Sequence, residues 1–139
     1  MKPKFLLRIA ATAMLLHTAG HTLGALTWQQ APNQKIAAVI SGMQTEHFEF
    51  MGRSVTLAGF FMGYGIIMIF VMLFITTILW LLSDNPIKTI TLALALLLLA
   101  TAVSEYIYFF PLPALLSSIA AICTAWAYLK IPLKQQHYE

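Results

Sequence analysis

His17-Thr18-Ala19-Gly20-His21-Thr22-Leu23-Gly24 places two imidazoles and two glycines in the middle of an otherwise apolar segment. The segment runs from Phe5 to Leu26, about 22 residues against the roughly 20 that a bilayer core requires. Met1-Lys2-Pro3-Lys4 ahead of it has the charged start of a signal peptide. Arg8 interrupts the run early and the run is long enough to span, so a retained membrane helix is the reading preferred.

The chain around this stretch is 60% hydrophobic and 9% charged, with a mean hydropathy of +0.80. Soluble domains carry about 25% charged residues. A chain of 139 residues has too small a core to hide that much apolar surface, so lipid must be its solvent. The formal net charge of +3 sits at segment ends and termini. It therefore reads as a topology signal and as contact with anionic lipid headgroups. No basic patch with interleaved aromatics lies outside the apolar segments, so nucleic acid is not an expected partner. Cys123 is the single cysteine. It allows no internal disulfide, no metal-type cysteine spacing and no redox thiol pair.

Four spans are predicted, at about 5–26, 53–82, 87–110 and 112–130, forming one integral membrane domain over 1–139. Trp28 is placed as an interface anchor. Pro32 and Asn33 mark a turn, and Lys35 to Met43 reads as a short interfacial helix. The second apolar run, Val55 to Leu82, exceeds the bilayer core and predicts tilt or a projecting end, with helix beginning as early as Thr45. Ser83-Asp84-Asn85-Pro86 is a stop and turn, with Pro86 suited to the first turn of the next helix. Pro111-Leu112-Pro113 breaks the third span, and the uninterrupted apolar part of the fourth, Ala114 to Leu129, is short for a crossing. His137 falls in a polar tail. The fold class is thus an all-α membrane protein, an up-down-up-down bundle of four transmembrane helices with a short interfacial helix between the first two. Lys2, Lys4, Arg8, Lys88, Lys130 and Lys134 fall on the side of the termini, Lys35 and Arg53 on the other. The positive-inside rule then puts both termini in the cytoplasm and the protein in the cell inner membrane.

Helical spacing aligns Ala10, Ala13, His17, Gly20, His21 and Gly24 on the first span, with Arg8 pointing away. Gly52, Thr56, Gly59 and Gly63 align on the second, with Glu49 on the flank. Thr91, Leu94, Leu98, Thr101, Glu105 and Tyr108 align on the third, and Ser117, Ala120, Ala121, Thr124 and Tyr128 on the fourth. Small and polar stripes are where helices meet in lipid. An uncompensated polar group in hydrocarbon is costly, so the ionisable residues should face the bundle. His17, His21, Glu105 and Glu49 are the candidate catalytic set, in the outer half of the membrane. Glu46, His47, Arg53, Gly59, Gly63, Tyr64, Thr101 and Tyr108 are the candidate ligand-binding set. The expected chemistry is proton exchange or headgroup binding by the histidines with Glu105 as counter-charge. The plainer alternative is that the histidines bond across helices as glue, and a local ion pair is the default for Glu49 and Arg53 at i, i+4.

No cofactor is predicted. A metal ion on His17 and His21 is a weaker reading, since position 18 is Thr and no HExxH zincin motif exists. Haem is weaker still, because no histidine lies in the later spans. Membrane lipid and a lipophilic small molecule of lipid, isoprenoid or quinone type are the expected partners, with a homo-oligomer left open. Competing functions are a non-catalytic assembly partner packing through the glycine stripes and, third, a small transporter, although the first span lacks the carboxylate of four-helix exporters.

Gly20-His21-Thr22-Leu23-Gly24, followed by Met43 to Ser54 and by Gly59-Phe60-Phe61-Met62-Gly63-Tyr64-Gly65, resembles a group of short uncharacterised bacterial membrane proteins with a Gly-His-Thr-x-Gly first-helix motif. The likeness covers most of the first two spans and implies four-helix architecture, with no activity attached. Span count and size are also similar to DoxX-like proteins, some linked to quinone-coupled redox chemistry, a fold-level analogy that transfers no residues.

Overall fold

The computed structural model describes residues 1–132. The tail readings at Lys134 and His137 lie outside the described residues. In chain order the elements are α1 (Pro3–Thr27), α2 (Gln34–Thr45), β1 (His47–Phe50), β2 (Arg53–Thr56), α3 (Leu57–Asp84), α4 (Lys88–Tyr108) and α5 (Pro111–Lys130). The described residues are helical apart from one two-stranded hairpin and short connectors. Three helices, α3, α4 and α5, are long and apolar enough to cross a membrane. α1 has the length, at 25 residues, but Lys4, Arg8, its threonines and its two histidines dilute its apolar character. The chain divides into two compact units, one of Met1–Thr18 with Met72–Glu139 and one of Ala19–Val71.

The first unit holds the core. Leu6, Leu7, Ala10 and Met14 of α1, Met72, Ile75, Leu79 and Leu82 of α3, Leu94 and Leu98 of α4, and Ala120, Ala121 and Ala127 of α5 form one buried cluster. The stripe on α5 is almost wholly small: Ala114, Ser117, Ala120, Ala121, Thr124 and Ala127 are buried. Large leucines of one helix thus meet alanines of another, which brings backbones close where lipid supplies no hydrophobic drive. Two buried threonines bond within their own helices, Thr18 donating to Met14 O at 2.7 Å and Thr124 to Ala120 O at 2.7 Å. A two-residue link, Phe109 and Phe110, joins α4 to α5, and Pro111 takes the first turn of α5, where a missing N–H costs nothing. The fourth predicted span therefore runs 20 residues as a helix. Pro86 falls one residue before the N-cap Ile87 of α4, outside the helix rather than in its first turn.

Charged side chains gather where α1 and α4 begin and α3 and α5 end. Lys4 Nζ lies 2.7 Å from Asp84 Oδ1 and Arg8 Nη2 3.4 Å from the same oxygen. Lys88 Nζ donates to Ile131 O at 3.0 Å and sits 5.2 Å from the Tyr128 ring centroid. The lysine thereby satisfies a carbonyl past the end of α5, where a cation also suits the helix dipole.

The second unit is built differently. Ala58, at 9% exposed, is its only buried residue among the described residues. Asn33 Oδ1 accepts from Ile36 N–H at 3.0 Å and starts α2, which covers the predicted interfacial helix with one extra residue at its start and two at its end. The largest departure from the sequence reading follows. Residues 47–56 are not the early turns of a helix but an antiparallel hairpin, with His47 opposite Thr56 and Phe50 opposite Arg53. Its two-residue turn has φ of 50° at Met51 and 78° at Gly52, the primed turn geometry that matches strand twist. Alternation sends Phe48, Phe50 and Val55, with Arg53 at the turn, to one face and His47, Glu49, Ser54 and Thr56 to the other. Phe60 meets that apolar face, its centroid 5.6 Å from Phe50 and 6.2 Å from Phe48. Trp28 packs on Phe61 at 5.0 Å.

The glycine stripes pack less than predicted. A Cβ added at Gly20, Gly24 or Gly63 would meet no atom within 4 Å, whereas one at Gly65 would stand 3.4 Å from Ala25 Cβ. Gly65→Leu is therefore expected to destabilise the protein by about 1–3 kcal/mol through overpacking. Gly20→Leu should stay within about 0.5 kcal/mol of the parent. Reversible unfolding in mixed micelles measures both, and equal losses would show that Gly20 is a contact after all.

Candidate functional site

His17 lies on the buried face of α1, and His21 follows it by one helical turn. The two rings have different surroundings. In the first unit, His17 Nε2 is 3.4 Å from Glu105 Oε1, with the side chains only 8% and 12% exposed. On the other side of the ring, Ser117 Oγ is 3.1 Å from Nδ1. Three helices thus deliver one group each: α1 the imidazole, α4 the carboxylate and α5 the hydroxyl.

Position on each helix explains the meeting. His17 continues the run Ala10, Ala13, Met14. Glu105 stands one turn after Thr101 on the stripe that begins at Thr91. Ser117 stands between Ala114 and Ala120. On α5 the flanking alanines make room for the serine to reach inward.

The chemistry of the trio follows from its donors and acceptors. With Glu105 ionised and His17 neutral, Nε2–H donates to the carboxylate and the Ser117 hydroxyl donates to Nδ1. With His17 protonated, Nδ1–H donates to Ser117 Oγ instead, because a hydroxyl serves in either role. With the proton on Glu105, the carboxyl O–H donates to Nε2 and Nδ1–H again donates to Ser117. Each state keeps both ring nitrogens partnered, so a proton can enter or leave without stranding either nitrogen. The 3.4 Å separation is longer than the roughly 2.7–2.9 Å of a tight charge-assisted bond, which leaves the pair loose.

In the second unit, His21 Nε2 is 3.1 Å from Gly65 O. A carbonyl only accepts, so Nε2 carries the proton. His47 Nδ1 donates likewise to Thr45 O at 2.9 Å. Glu46 is the C-cap of α2, its N–H bonded to Gly42 O. Glu49 and Arg53 sit on the two strands, exposed, and neither forms an ion pair among the described residues. Glu49 stands opposite Ser54 and Arg53 opposite Phe50, so alternation puts the two on opposite faces of the hairpin, and the expected i, i+4 pair has no helix to bring it together. Thr56 Oγ1 accepts from Gly59 N–H at 3.1 Å and caps α3. Tyr64 stacks on Phe60 at 6.5 Å. On α4, Thr101 donates to Leu97 O within its own helix and Tyr108 is exposed.

The trio brings together two predicted site residues, His17 and Glu105, and adds Ser117, which spacing places on a packing stripe. A hydroxyl between Ala114 and Ala120 on the small stripe is the signal in the sequence that could have found it. Among the described residues no three His, Cys, Asp or Glu side chains converge as a metal group. No protein-family model, curated protein or solved structure matches the chain.

Removing one member of a buried pair leaves the other uncompensated. His17→Ala is therefore expected to cost about 3 kcal/mol. The double variant His17→Ala/Glu105→Ala should show a coupling of about 1–3 kcal/mol against the single changes. Additive losses in that cycle would mean the contact carries no energy.

Proposed function

We propose that the chain is a multi-pass protein of the cell inner membrane, with α1 joining α3, α4 and α5 as a fourth span and both termini cytoplasmic. Its function in this reading is to bind or act on a lipophilic molecule of lipid, isoprenoid or quinone type, using the His17–Glu105–Ser117 trio to take up or release a proton. The observation that carries the reading is the burial of an imidazole and a carboxylate against each other in an apolar interior. Intramembrane ionisable groups are expensive and mark functional pathways by default. A histidine titrates near neutrality, which suits proton exchange. The role expected of His21 and Glu49 has less support, since His21 is bonded to Gly65 O in the second unit and Glu49 is exposed on the hairpin.

A packing partner is the second reading. Gly20 and Gly24 stand open on an exposed helix face, the kind of small-residue stripe that admits another helix.

Titrating purified protein in nanodiscs with decyl-ubiquinone and with farnesol, read by quenching of its three tryptophans, tests the leading reading. Saturable binding is expected with at least one probe, accompanied by proton uptake or release in weakly buffered solution. Glu105→Gln and His17→Gln should abolish the proton signal while helix content is kept. Saturable binding with proton exchange unchanged in both variants would remove the trio from the function.

A further inference from the structure

A second feature of the first unit lies along α1 and α5, lined by none of the trio's three residues. Phe5, Ile9, Ala13 and Leu16 of α1 and Leu116 and Ile119 of α5 line an open groove of about 420 Å³. From Phe5 to Leu16 it follows α1 for about 16 Å, at roughly 1.5 Å per residue. Thr12, within it, spends its hydroxyl on Arg8 O at 2.9 Å, so the walls offer a ligand almost nothing polar.

One end is different. Arg8 and Trp80 also line the groove, with the guanidinium carbon 5.1 Å from the indole centroid. Arg8 Nε is 3.4 Å from Ser83 Oγ and Nη2 3.4 Å from Asp84 Oδ1. Both contacts are long, and about three of the five guanidinium N–H donors are left for another acceptor. Lys4 binds the same Asp84 oxygen at 2.7 Å. Two cations therefore share one carboxylate, leaving a net positive charge at the end of an apolar channel. The side chain of Arg8 is 39% exposed and is accessible from the groove.

We propose that this groove binds an anionic phospholipid, its acyl chain along α1 and α5 and its phosphate on Arg8 with Lys4 beside it. Guanidinium matches phosphate geometry with paired donors, and the apolar walls suit a hydrocarbon chain and nothing charged. A zwitterionic lipid offers the same chain but carries its own cation against Lys4 and Arg8. None of the trio's side chains lines the groove, and lipid binding there does not depend on their proton chemistry.

The test uses the full chain reconstituted in vesicles of equal phosphatidylglycerol and phosphatidylcholine, then released in mild detergent for native mass spectrometry. Retained phosphatidylglycerol is expected to exceed phosphatidylcholine by about fivefold, the factor one cation contributes at an anionic surface. Arg8→Gln should bring the two lipids to parity, and Lys4→Gln should reduce the preference. Ile119→Trp, on a partly exposed position, should fill the groove and lower retention of both lipids. Equal retention by the parent protein, or an intact preference in Arg8→Gln, would overturn the proposal. Should Arg8→Gln lose helix content, Ile119→Trp decides alone, and unchanged retention there would sink it. Displacement of the lipid by millimolar glycerol 3-phosphate would assign the site to the headgroup by itself and overturn the part played by the groove.

Discussion

An imidazole and a carboxylate inside an apolar interior have few places to go. Each charge or lone pair left alone there costs several kcal/mol. His17 and Glu105 answer that constraint by facing each other at 3.4 Å, and Ser117 answers what is left of the ring at 3.1 Å. The need for that meeting orders much of the first unit. It fixes which face of α1 turns inward, sets the rotation of α4, and requires small residues on α5 so that the serine can reach. The leucine-into-alanine packing of the core serves the same end, because close helices are what bring three short polar groups within bonding distance.

Much of this arrangement is legible in the sequence. The stripe Ser117, Ala120, Ala121, Thr124 is buried as helical spacing predicts, and His17 and Glu105 lie on their predicted faces. Helical periodicity is a strong signal where one face is small and the other is leucine, because only the small face permits approach. The same signal misleads at Gly20 and Gly24. Small residues permit close packing but do not enforce it, and nothing in the described chain approaches them.

The hairpin shows a different failure. His47-Phe-Glu-Phe-Met-Gly-Arg-Ser-Val-Thr56 has strict alternation on its first arm and a Met-Gly pair at the centre. The glycine supplies one positive φ without strain, but Met51 supplies the other at 50°, a conformation seldom taken by such a residue. Asn-Gly or Asp-Gly would have announced the turn. A methionine there hides it, and the long apolar run that follows pulls a helical reading backward over the strands. Arg8 likewise reads in the sequence only as a topology charge. Its second use, beside Trp80, Ser83 and Asp84, depends on residues far along the chain, and nothing local in the sequence joins them.

The hairpin also has a practical side. Because His47 stands opposite Thr56, the chain leaves α2 and enters α3 at neighbouring points. The excursion between them is an insert whose two ends already meet, and its tip, Met51, is 91% exposed. A peptide tag or small reporter spliced between Met51 and Gly52 would extend the loop while the spacing between α2 and α3 stayed as it is. Such a handle would sit on the chain far from either terminus and from every residue of the His17–Glu105–Ser117 trio in sequence.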